Sequence, residues 1–553
     1  MSNASSASLL EQIEKLNAIG VGLSAEKNAE RLMEMILVGA KGLTGADGGT
    51  IYSITDDRCL RFEIMHTTSL GFAMGGTSGV AIPFEPLPLY HPDGTANTKM
   101  VVSHAALTGE VINIPDAYEA VDFDFSGTRA FDQRTGYRSR SFLTVPMKNH
   151  EDTIIGVLQL INALDPVSGA VVPFSETDQR LVASLASQAS VALTKNILIL
   201  EMKRLFDAMI QLMATAIDEK SPYTGGHCRR VPVAAMLLAE AVSRCQTGPL
   251  RDFYLDEAGH YELEIAAWLH DCGKVTTPEY VVDKARKLET IYDRIAEVDT
   301  RFEVVRRDAV IDLLERKLAA QARGEEGMIP VLETAFHTKV ADLEADRAFL
   351  RRCNSSEEFM PESDRDRVRT IAERYRWINP AGVQVPLLDA DEIENLTIAR
   401  GTLNERERDI INNHTITTIK MLESLPFPKH LRRVPEFAGG HHERMDGRGY
   451  PRGLTGAQLS VPARILAVAD VFEALTACDR PYKKAKSLSE TLAIMGKMAL
   501  DQHIDADLFQ IFVRERVYLD YAHRFLAPAQ IDSVDHNAIP GYVDSLPPAA
   551  TAG

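Results

Sequence analysis

A long uninterrupted helical pattern limits the fold more than any other feature of this 553-residue chain. From Ser175 to Ser221 the sequence contains neither glycine nor proline, and apolar residues recur at helical spacing. Ser175 and Asp178 are spaced as a capping box, which marks the start of a helix. The sequence therefore predicts one connecting helix over residues 176–220, with a folded part on each side.

The apolar positions of this connecting helix predict that it has a partner. They include Leu193, Ile197, Leu200 and Met209. A helix of this length that joins two folded parts most simply packs against a copy of itself, so we expect a homodimer through the connecting helix. The heptad register is imperfect, and the alternative, in which the helix lies against its own domain, stays open.

The sequence before the connecting helix mixes helical and strand patterns. A short helix from Leu9 to Ile19 and an amphipathic helix that ends in glycines precede the strand-like runs LRFEIMH, SFLTVPMK and TIIGVLQLIN. In the first run apolar and charged residues alternate, which is typical of a half-buried strand. We therefore expect residues 1–175 to form one α/β domain.

The sequence after residue 205 is mostly helical in pattern. Within the predicted all-α domain over residues 205–525, residues 288–400 are charge-rich and have none of the dense histidine and aspartate clusters found on either side. We interpret residues 288–400 as a helical insertion that splits one catalytic unit. Residues 526–553, which end in LPPAATAG, are predicted to be a loose tail.

Composition excludes several classes of protein. The 78 acidic residues outnumber the 60 basic ones, and the resulting net charge of −18 disfavours binding to polymeric nucleic acid or to an anionic membrane. No apolar run predicts a membrane span and no signal peptide is evident, so we expect a cytoplasmic protein. A phosphate substrate would need local positive charge.

Ionisable residues stand in apolar helical surroundings at several distant points of the chain. Asp470 lies in the run ILAVADVFEAL, where an isolated carboxylate would cost several kcal/mol unless it is paired or bound to a metal. His270 and Asp271 end the apolar run LEIAAWL, and His414 shares a helix face with apolar residues. Each of these alone has an ordinary explanation as a hydrogen-bonded core residue or a cap.

Together, these residues indicate a metal site. Imidazoles with carboxylates suit divalent transition metals, and an aspartate can bridge two cations that together clamp a phosphoryl oxygen. The stretch GGHHERMDGRGYPRGL adds two adjacent histidines, and its glycines allow backbone to approach a substrate. The predicted ligands are His227, His270, Asp271, His414, His441, His442 and Asp470.

Five motifs in the second part resemble those of the HD-GYP phosphodiesterases, a branch of the HD superfamily. They are SPYTGGHCRRV, LHDCGK, GTLNERERDIINNH, HHERMDGRGYPRGL and VADVFEALTACDRPYKKA, and the resemblance covers about 205–285 and 400–515. It implies that the seven residues above ligate two divalent metal ions, iron or manganese. Family members with a third metal have a glutamate where this chain has Tyr223, so we expect two metals.

The same resemblance implies roles for further residues. Asp271 and Lys274 would act in catalysis, with Lys274 beside the scissile phosphate. Arg480, Lys483 and Tyr450 would bind the substrate, and the two basic residues would supply the local positive charge. Glu443 and Asp446 would not bind metal themselves but would orient the imidazoles and the glycine-rich loop, residues 439–454.

Residues 15–195 resemble GAF domains of the phosphodiesterase type. The segments FDQRTGYRSRSFLTVPMKNHEDTIIGVLQLINA and SETDQRLVASLASQASVAL are similar to the later half and the closing helix of that family. The resemblance implies an antiparallel sheet with flanking helices that senses an unknown small ligand. A dimerisation module with an empty pocket is the alternative.

These resemblances imply a metal-dependent phosphodiesterase that hydrolyses cyclic di-GMP, or the mixed cyclic GMP-AMP, to a linear dinucleotide under control of the GAF domain. The alternative is a module that senses the cyclic dinucleotide, or docks onto a diguanylate cyclase, with little turnover. The complete predicted ligand set and Lys274 favour the enzyme, because a pure adaptor would not need them.

Overall fold

The computed structural model describes residues 2–220, 226–355, 359–478 and 485–543, with side chains from residue 10 onward. The chain divides into two compact units, Met1–Phe206 and Asp207–Gly553. The elements of the first unit are α1 Ser2–Ala25, α2 Ala29–Thr44, β1 Ala46–Ile54, β2 Cys59–Thr67, β3 Phe72–Gly75, β4 Leu87–Pro88, α3 Val101–Thr108, β5 Ile112–Ile114, α4 Ser126–Thr135, β6 Phe142–Lys148, β7 Ile154–Leu164 and β8 Val171–Val172. Helix α5, Glu176–Lys220, follows.

The first unit is built on one antiparallel sheet with the order β3-β2-β1-β7-β6-β5, to which β4 adds beside β2 and β8 beside β7. Helix α2 and the first turns of α5 bury Ile36, Leu37, Val182 and Leu185 in the same core as Leu158 of β7. The predicted antiparallel sheet with flanking helices is confirmed.

Helix α5 spans the predicted connecting helix. Its first turn has the expected capping box, in which the Ser175 backbone N–H donates to Asp178 Oδ2 (2.8 Å) and the Asp178 N–H donates to Ser175 Oγ (3.1 Å). Among the described helices, α5 alone is long and apolar enough to cross a membrane, and 44% of its most apolar window is buried. Core helices of globular proteins meet the same two criteria, so this is weak evidence for a membrane span.

The second unit is mainly helical. After α5 its elements are α6 His227–Ser243, α7 Glu257–Leu269, the 3₁₀ helix Cys272–Thr276, α8 Glu279–Val282, α9 Ile295–Ala322, α10 Ile329–Cys353, α11 Glu362–Arg374, β9 Arg376–Ile378, β10 Gln384–Pro386, α12 Ala390–Leu396, α13 Glu405–Glu423, α14 Val434–Gly439, α15 Val461–Thr476, α16 Leu488–Leu500, α17 Ala506–Arg514 and α18 Val517–Phe525. Apolar faces of α6, α7, α15, α16, α17 and α18 share one core.

The segment predicted as a helical insertion has a separate core. Phe302 of α9, Leu350 of α10 and Ile371 of α11 are among its buried residues. The segment is not wholly helical, because β9 and β10 form an antiparallel hairpin of three residues on each side. Strands this short leave too few alternating positions for the sequence to reveal them.

Buried lysines hold the two ends of this segment together. Lys284 Nζ donates to both carboxylate oxygens of Glu407 (2.8 and 2.7 Å) and to Asn395 Oδ1 (2.9 Å). Lys287 Nζ donates to the carbonyl of Ile398 (2.8 Å). The entry and exit of the segment are therefore adjacent, so that α13 continues the fold begun by α7.

The prediction of a loose tail over residues 526–553 is wrong for its first part. Ile539 is buried in the core of the second unit, and Gln530 Nε2 donates to the carbonyl of Thr476 (2.9 Å). The sequence there is polar and proline-containing, but Ile531, Val534 and Tyr542 also pack against the core and, with the hydrogen bonds, hold the segment in place. Residues 544–553 lie outside the described part of the chain.

Candidate metal centre

Asp271 occupies the centre of the candidate site. It follows α7 directly and is 2% exposed. Its Oδ2 lies 3.2 Å from His227 Nε2 and 3.4 Å from His270 Nε2, whereas its Oδ1 lies 3.2 Å from His414 Nε2 and 3.9 Å from His441 Nε2. The two oxygens of one carboxylate thus face two different sets of imidazoles.

The possible ligand atoms form two groups, and within each group they lie within 4.8 Å of one another. We call His227, His270 and Asp271 the first ligand group, and His414, His441 and His442 the second ligand group. Asp470 lies beside the first group, with its Oδ1 3.3 Å from His227 Nε2. All seven residues that the sequence predicts as ligands therefore converge, although their role as ligands stays a prediction.

Three of the imidazoles are oriented by the helices that carry them. The Nδ1–H of His270 donates to the backbone carbonyl three residues earlier (2.8 Å), and so does that of His441 (2.5 Å); His414 makes the same contact. In each ring this leaves Nε2 free to face the centre of the site. A hydrogen bond of this kind selects the tautomer that ligates through Nε2.

His227 is oriented by a buried carboxylate instead. Its Nδ1 lies 2.5 Å from Glu473 Oε2, and Arg230 Nε donates to the other oxygen of Glu473 (2.7 Å). Glu473 lies one turn after Asp470 on α15 and is 1% exposed. Glu473 was not among the predicted site residues, although the sequence carries a signal for it, because a second carboxylate in the apolar run ILAVADVFEAL needs a partner as much as Asp470 does.

Two glycines permit the close backbone contacts that bring the ligands together. A Cβ on Gly273 would lie 2.0 Å from the carbonyl oxygen of His414, so the 3₁₀ helix after Asp271 can pack directly on α13. A Cβ on Gly449 would lie 2.4 Å from Glu443 Cα. The glycine-rich loop therefore folds back on itself, and the Tyr450 ring stacks beside the His442 ring with centroids 4.7 Å apart.

Histidines of the two ligand groups have pKa values that are shifted in opposite directions. Burial lowers the pKa of His270, but the Asp271 and Asp470 carboxylates outweigh burial and raise it to about 9. In the second group burial is the main cause and lowers the pKa of His442 to about 3, and burial with neighbouring imidazoles holds the pKa of His441 well below its usual range. His441 and His442 are therefore neutral, the form in which imidazole binds metals.

Comparisons with known proteins agree with this architecture. Residues 28–193 match the family model described as GAF domain, and residues 378–508 match the model described as HD domain. The chain contains a GAF domain and an HD domain. The HD match includes His414, His441, His442 and Asp470, while His227, His270 and Asp271 precede the matched residues and reach the same site through the fold.

Curated relatives are similar to part of this chain. A 3′3′-cGAMP-specific phosphodiesterase of Vibrio cholerae is 44% identical over 21% of this chain and 26% of its own length. A cyclic di-GMP phosphodiesterase of Pseudomonas aeruginosa is 37% identical over 21% of this chain and 26% of its own length. The chain spans about a quarter of the length of these two relatives.

Solved structures are similar to the GAF domain. The GAF domain from an Acinetobacter phosphoenolpyruvate-protein phosphotransferase covers 34% of this chain and 96% of its own length, at 15% identity and a TM-score of 0.25.

The donor set of the HD domain fits divalent cations. Asp271 Oδ1 and His441 Nε2 are buried and have no hydrogen-bond partner among the described residues. Buried polar atoms are rarely left without a partner, and a carboxylate oxygen and an imidazole nitrogen that point at the same space are metal donors. The two groups could therefore each hold a cation, with Asp271 shared between them.

The other residues singled out in the sequence occupy different positions around the HD site. Lys274 Nζ pairs with Asp271 Oδ2 at 2.5 Å. Glu443 accepts the backbone N–H of Leu454 (2.8 Å), and Asp446 accepts that of Arg448 (2.9 Å), so both carboxylates hold the glycine-rich loop. Tyr223, Arg480 and Lys483 lie outside the described residues.

Proposed function

We propose that this chain is a metal-dependent phosphodiesterase that opens cyclic di-GMP, or the mixed cyclic GMP-AMP, to a linear dinucleotide. The observation that supports it most is the division of the Asp271 oxygens between two ligand groups. The substrates of the V. cholerae and P. aeruginosa relatives indicate the substrate class. We propose iron or manganese as the cations, because imidazole and carboxylate ligands suit both.

Each part of the site has a task in this proposal. His227, His270, Asp470 and a shared Asp271 would hold one cation, and the second ligand group with Asp271 would hold the other. When bound, such a pair polarises a phosphoryl oxygen and makes water more acidic. Lys274, beside Asp271, adds positive charge where negative charge develops on the phosphate. Tyr450 lies beside His442 and would contact the substrate.

A second candidate function is a cyclic-dinucleotide sensor or a module that docks onto a diguanylate cyclase. The test is to purify the chain without air, measure bound metal, and incubate it separately with cyclic di-GMP and cyclic GMP-AMP after adding Fe²⁺ or Mn²⁺. We expect a linear dinucleotide from at least one of them by chromatography. Tight binding of both with no cleavage would favour the module.

We propose further that the GAF domain regulates the HD domain through a small ligand. The GAF domain contains a cavity of about 510 Å³, and its lining includes the aromatic residues Tyr52, Phe62, Phe72, Phe84, Phe125 and Phe131. Cavities of this size with apolar walls and a few polar groups are typical ligand sites. A dimerisation module with an empty cavity is the alternative, and it predicts that no small molecule changes turnover.

We also propose that the protein is a cytoplasmic homodimer formed through α5. Val191, Leu198, Leu205 and Leu212 are seven residues apart on this helix and are 62%, 52%, 64% and 70% exposed. Met202 and Met209, four residues after Leu198 and Leu205, are also exposed. This is the spacing of a coiled-coil seam, and apolar side chains on such a seam are stabilised by a second copy of the helix.

A further inference from the structure

The last turn of α5 contacts both backbone segments that carry the first ligand group. Asp218 lies two residues before the end of the helix and is 6% exposed. Its Oδ2 accepts the backbone N–H of Gly226 (3.0 Å) and its Oδ1 accepts that of Cys228 (3.3 Å). These two residues flank His227, so one carboxylate holds the start of α6 on either side of a predicted ligand.

Lys220 holds the segment that follows the other two ligands. Its Nζ donates to the carbonyl oxygens of Lys274 (3.1 Å), Val275 (2.5 Å) and Thr277 (2.6 Å). A lysine ammonium has three N–H donors, and these three carbonyls use all of them. The contact fastens the C-terminal end of the 3₁₀ helix Cys272–Thr276, which begins directly after Asp271.

The charges of the two side chains match the ends that they hold. The first N–H groups of a helix lack intrahelical partners and favour a negative group, whereas the last carbonyls favour a positive one. Asp218 meets the start of α6, and Lys220 meets the end of the 3₁₀ helix. The same turn of α5 also receives a hydrogen bond on Thr215 Oγ1 from Arg229 (3.1 Å).

We infer that Asp218 and Lys220 are positioning residues that couple α5 to the metal centre. This rests on the proposed function, and it identifies the path by which that function would be regulated. A shift of the last turn of α5 would move His227 relative to Asp271, whose facing atoms are 3.2 Å apart, and so would weaken the hold of the first ligand group on its cation. The second ligand group would keep its geometry.

The experiment compares Asp218→Asn, Lys220→Met and Lys220→Arg with the control Glu219→Gln, an exposed residue in the same turn. Binding of Mn²⁺ to the full-length protein is titrated by electron paramagnetic resonance, and thermal unfolding is followed in parallel. We expect the affinity of one of two Mn²⁺ ions to fall by about 10- to 100-fold in Asp218→Asn and Lys220→Met, as for other residues that orient metal ligands. Lys220→Arg should recover part of the loss, and Glu219→Gln should match the wild type.

Metal affinity is the deciding readout because it does not depend on turnover. If the wild type binds two Mn²⁺ ions and cleaves no cyclic dinucleotide, the proposed function fails while this inference is still tested. Unchanged affinity in both Asp218→Asn and Lys220→Met would overturn the inference, even if those proteins melt at a lower temperature. If Lys220→Met does not fold, Asp218→Asn alone decides between the same two outcomes.

Discussion

At the scale of single residues, Asp271 is the buried carboxylate on which both ligand groups depend. It is buried among four imidazoles and a lysine, and the neighbouring positive groups hold its pKa well below the usual range although burial opposes them. Replacing Asp271 and His270 together with alanine should abolish cleavage and remove both metals. His260→Ala, on the same helix but outside both ligand groups, is the control. Metal analysis and product chromatography are the measurements, and full activity of the double variant would refute the site.

Lys274 should contribute to turnover more than to metal binding. Its ammonium is aligned by Asp271, and a positive group next to the reacting phosphate stabilises charge that develops in the transition state. We expect Lys274→Met to lower kcat by about 10²-fold with metal content near the wild-type value. Lys497→Met, an exposed lysine on α16, is the matched control. Loss of metal in parallel with activity would instead assign Lys274 to holding Asp271.

The close packing of Gly273 against α13 predicts that a side chain at this position lowers the free energy of unfolding. A methyl group at this position would meet the backbone of His414 at 2.0 Å and that of Thr418 at 2.6 Å, and backbone cannot move aside as a flexible side chain can. Gly273→Ala should destabilise the second unit by about 1–3 kcal/mol and weaken metal binding, because it separates Asp271 from α13. Gly327→Ala, where no atom lies within 4 Å of the added Cβ, should change neither quantity. Denaturant unfolding and metal titration measure both.

At the scale of elements, the proposed dimer contact along α5 can be tested by substitution. Leu198→Glu with Leu205→Glu would place four negative charges along a dimeric coiled coil and should convert the protein to monomers. Ile199→Glu, whose side chain is also about half exposed but lies off the Leu198–Leu205 seam, is the control and should leave the dimer intact. Analytical ultracentrifugation gives the mass directly. A monomeric wild type would favour the alternative in which α5 serves its own chain.

The elements also show how far the sequence pattern reaches. The three predicted strand runs match β2, β6 and β7 with starts that differ by one residue, and these strands are long and bury one or both faces. The helix predicted over residues 176–220 matches α5. The pattern did not reveal β1, because its first four residues, Ala-Asp-Gly-Gly, are turn formers that here pack in the middle of the sheet. Two- and three-residue strands were missed because alternation needs more positions than they offer.

At the scale of the whole molecule, the candidate ligands could be predicted and their arrangement could not. Each ligand stands out locally, as an ionisable residue in an apolar run or beside glycines. That Asp271 would divide its oxygens between two groups depends on how α7 and α13 pack, which a linear pattern does not contain. Asp218 and Lys220 could not be predicted for a related reason, since their partners are backbone groups that no residue pattern marks. The domain boundaries predicted from the sequence remain predictions.

Removal of metal should affect the two units differently. A strong chelator should abolish cleavage and lower the melting temperature of the second unit, because a ligand that binds only the folded state stabilises it. The GAF domain, which contributes no residue to either ligand group, should keep its melting temperature. Differential scanning calorimetry separates the transitions, and addition of Mn²⁺ or Fe²⁺ should restore activity. A GAF transition that shifts by the same amount would show that the metals act beyond the HD domain.

The segment inserted between α7 and α13 has a consequence for how the metal site is held together. Asp271 and His414 are separated by about 140 residues of chain, most of them in a segment with its own core. Bringing two such distant residues together costs conformational entropy, and the separate core and adjacent ends of the segment reduce that cost. A cation held by Asp271 together with the second ligand group would act as a reversible crosslink between α7 and α13.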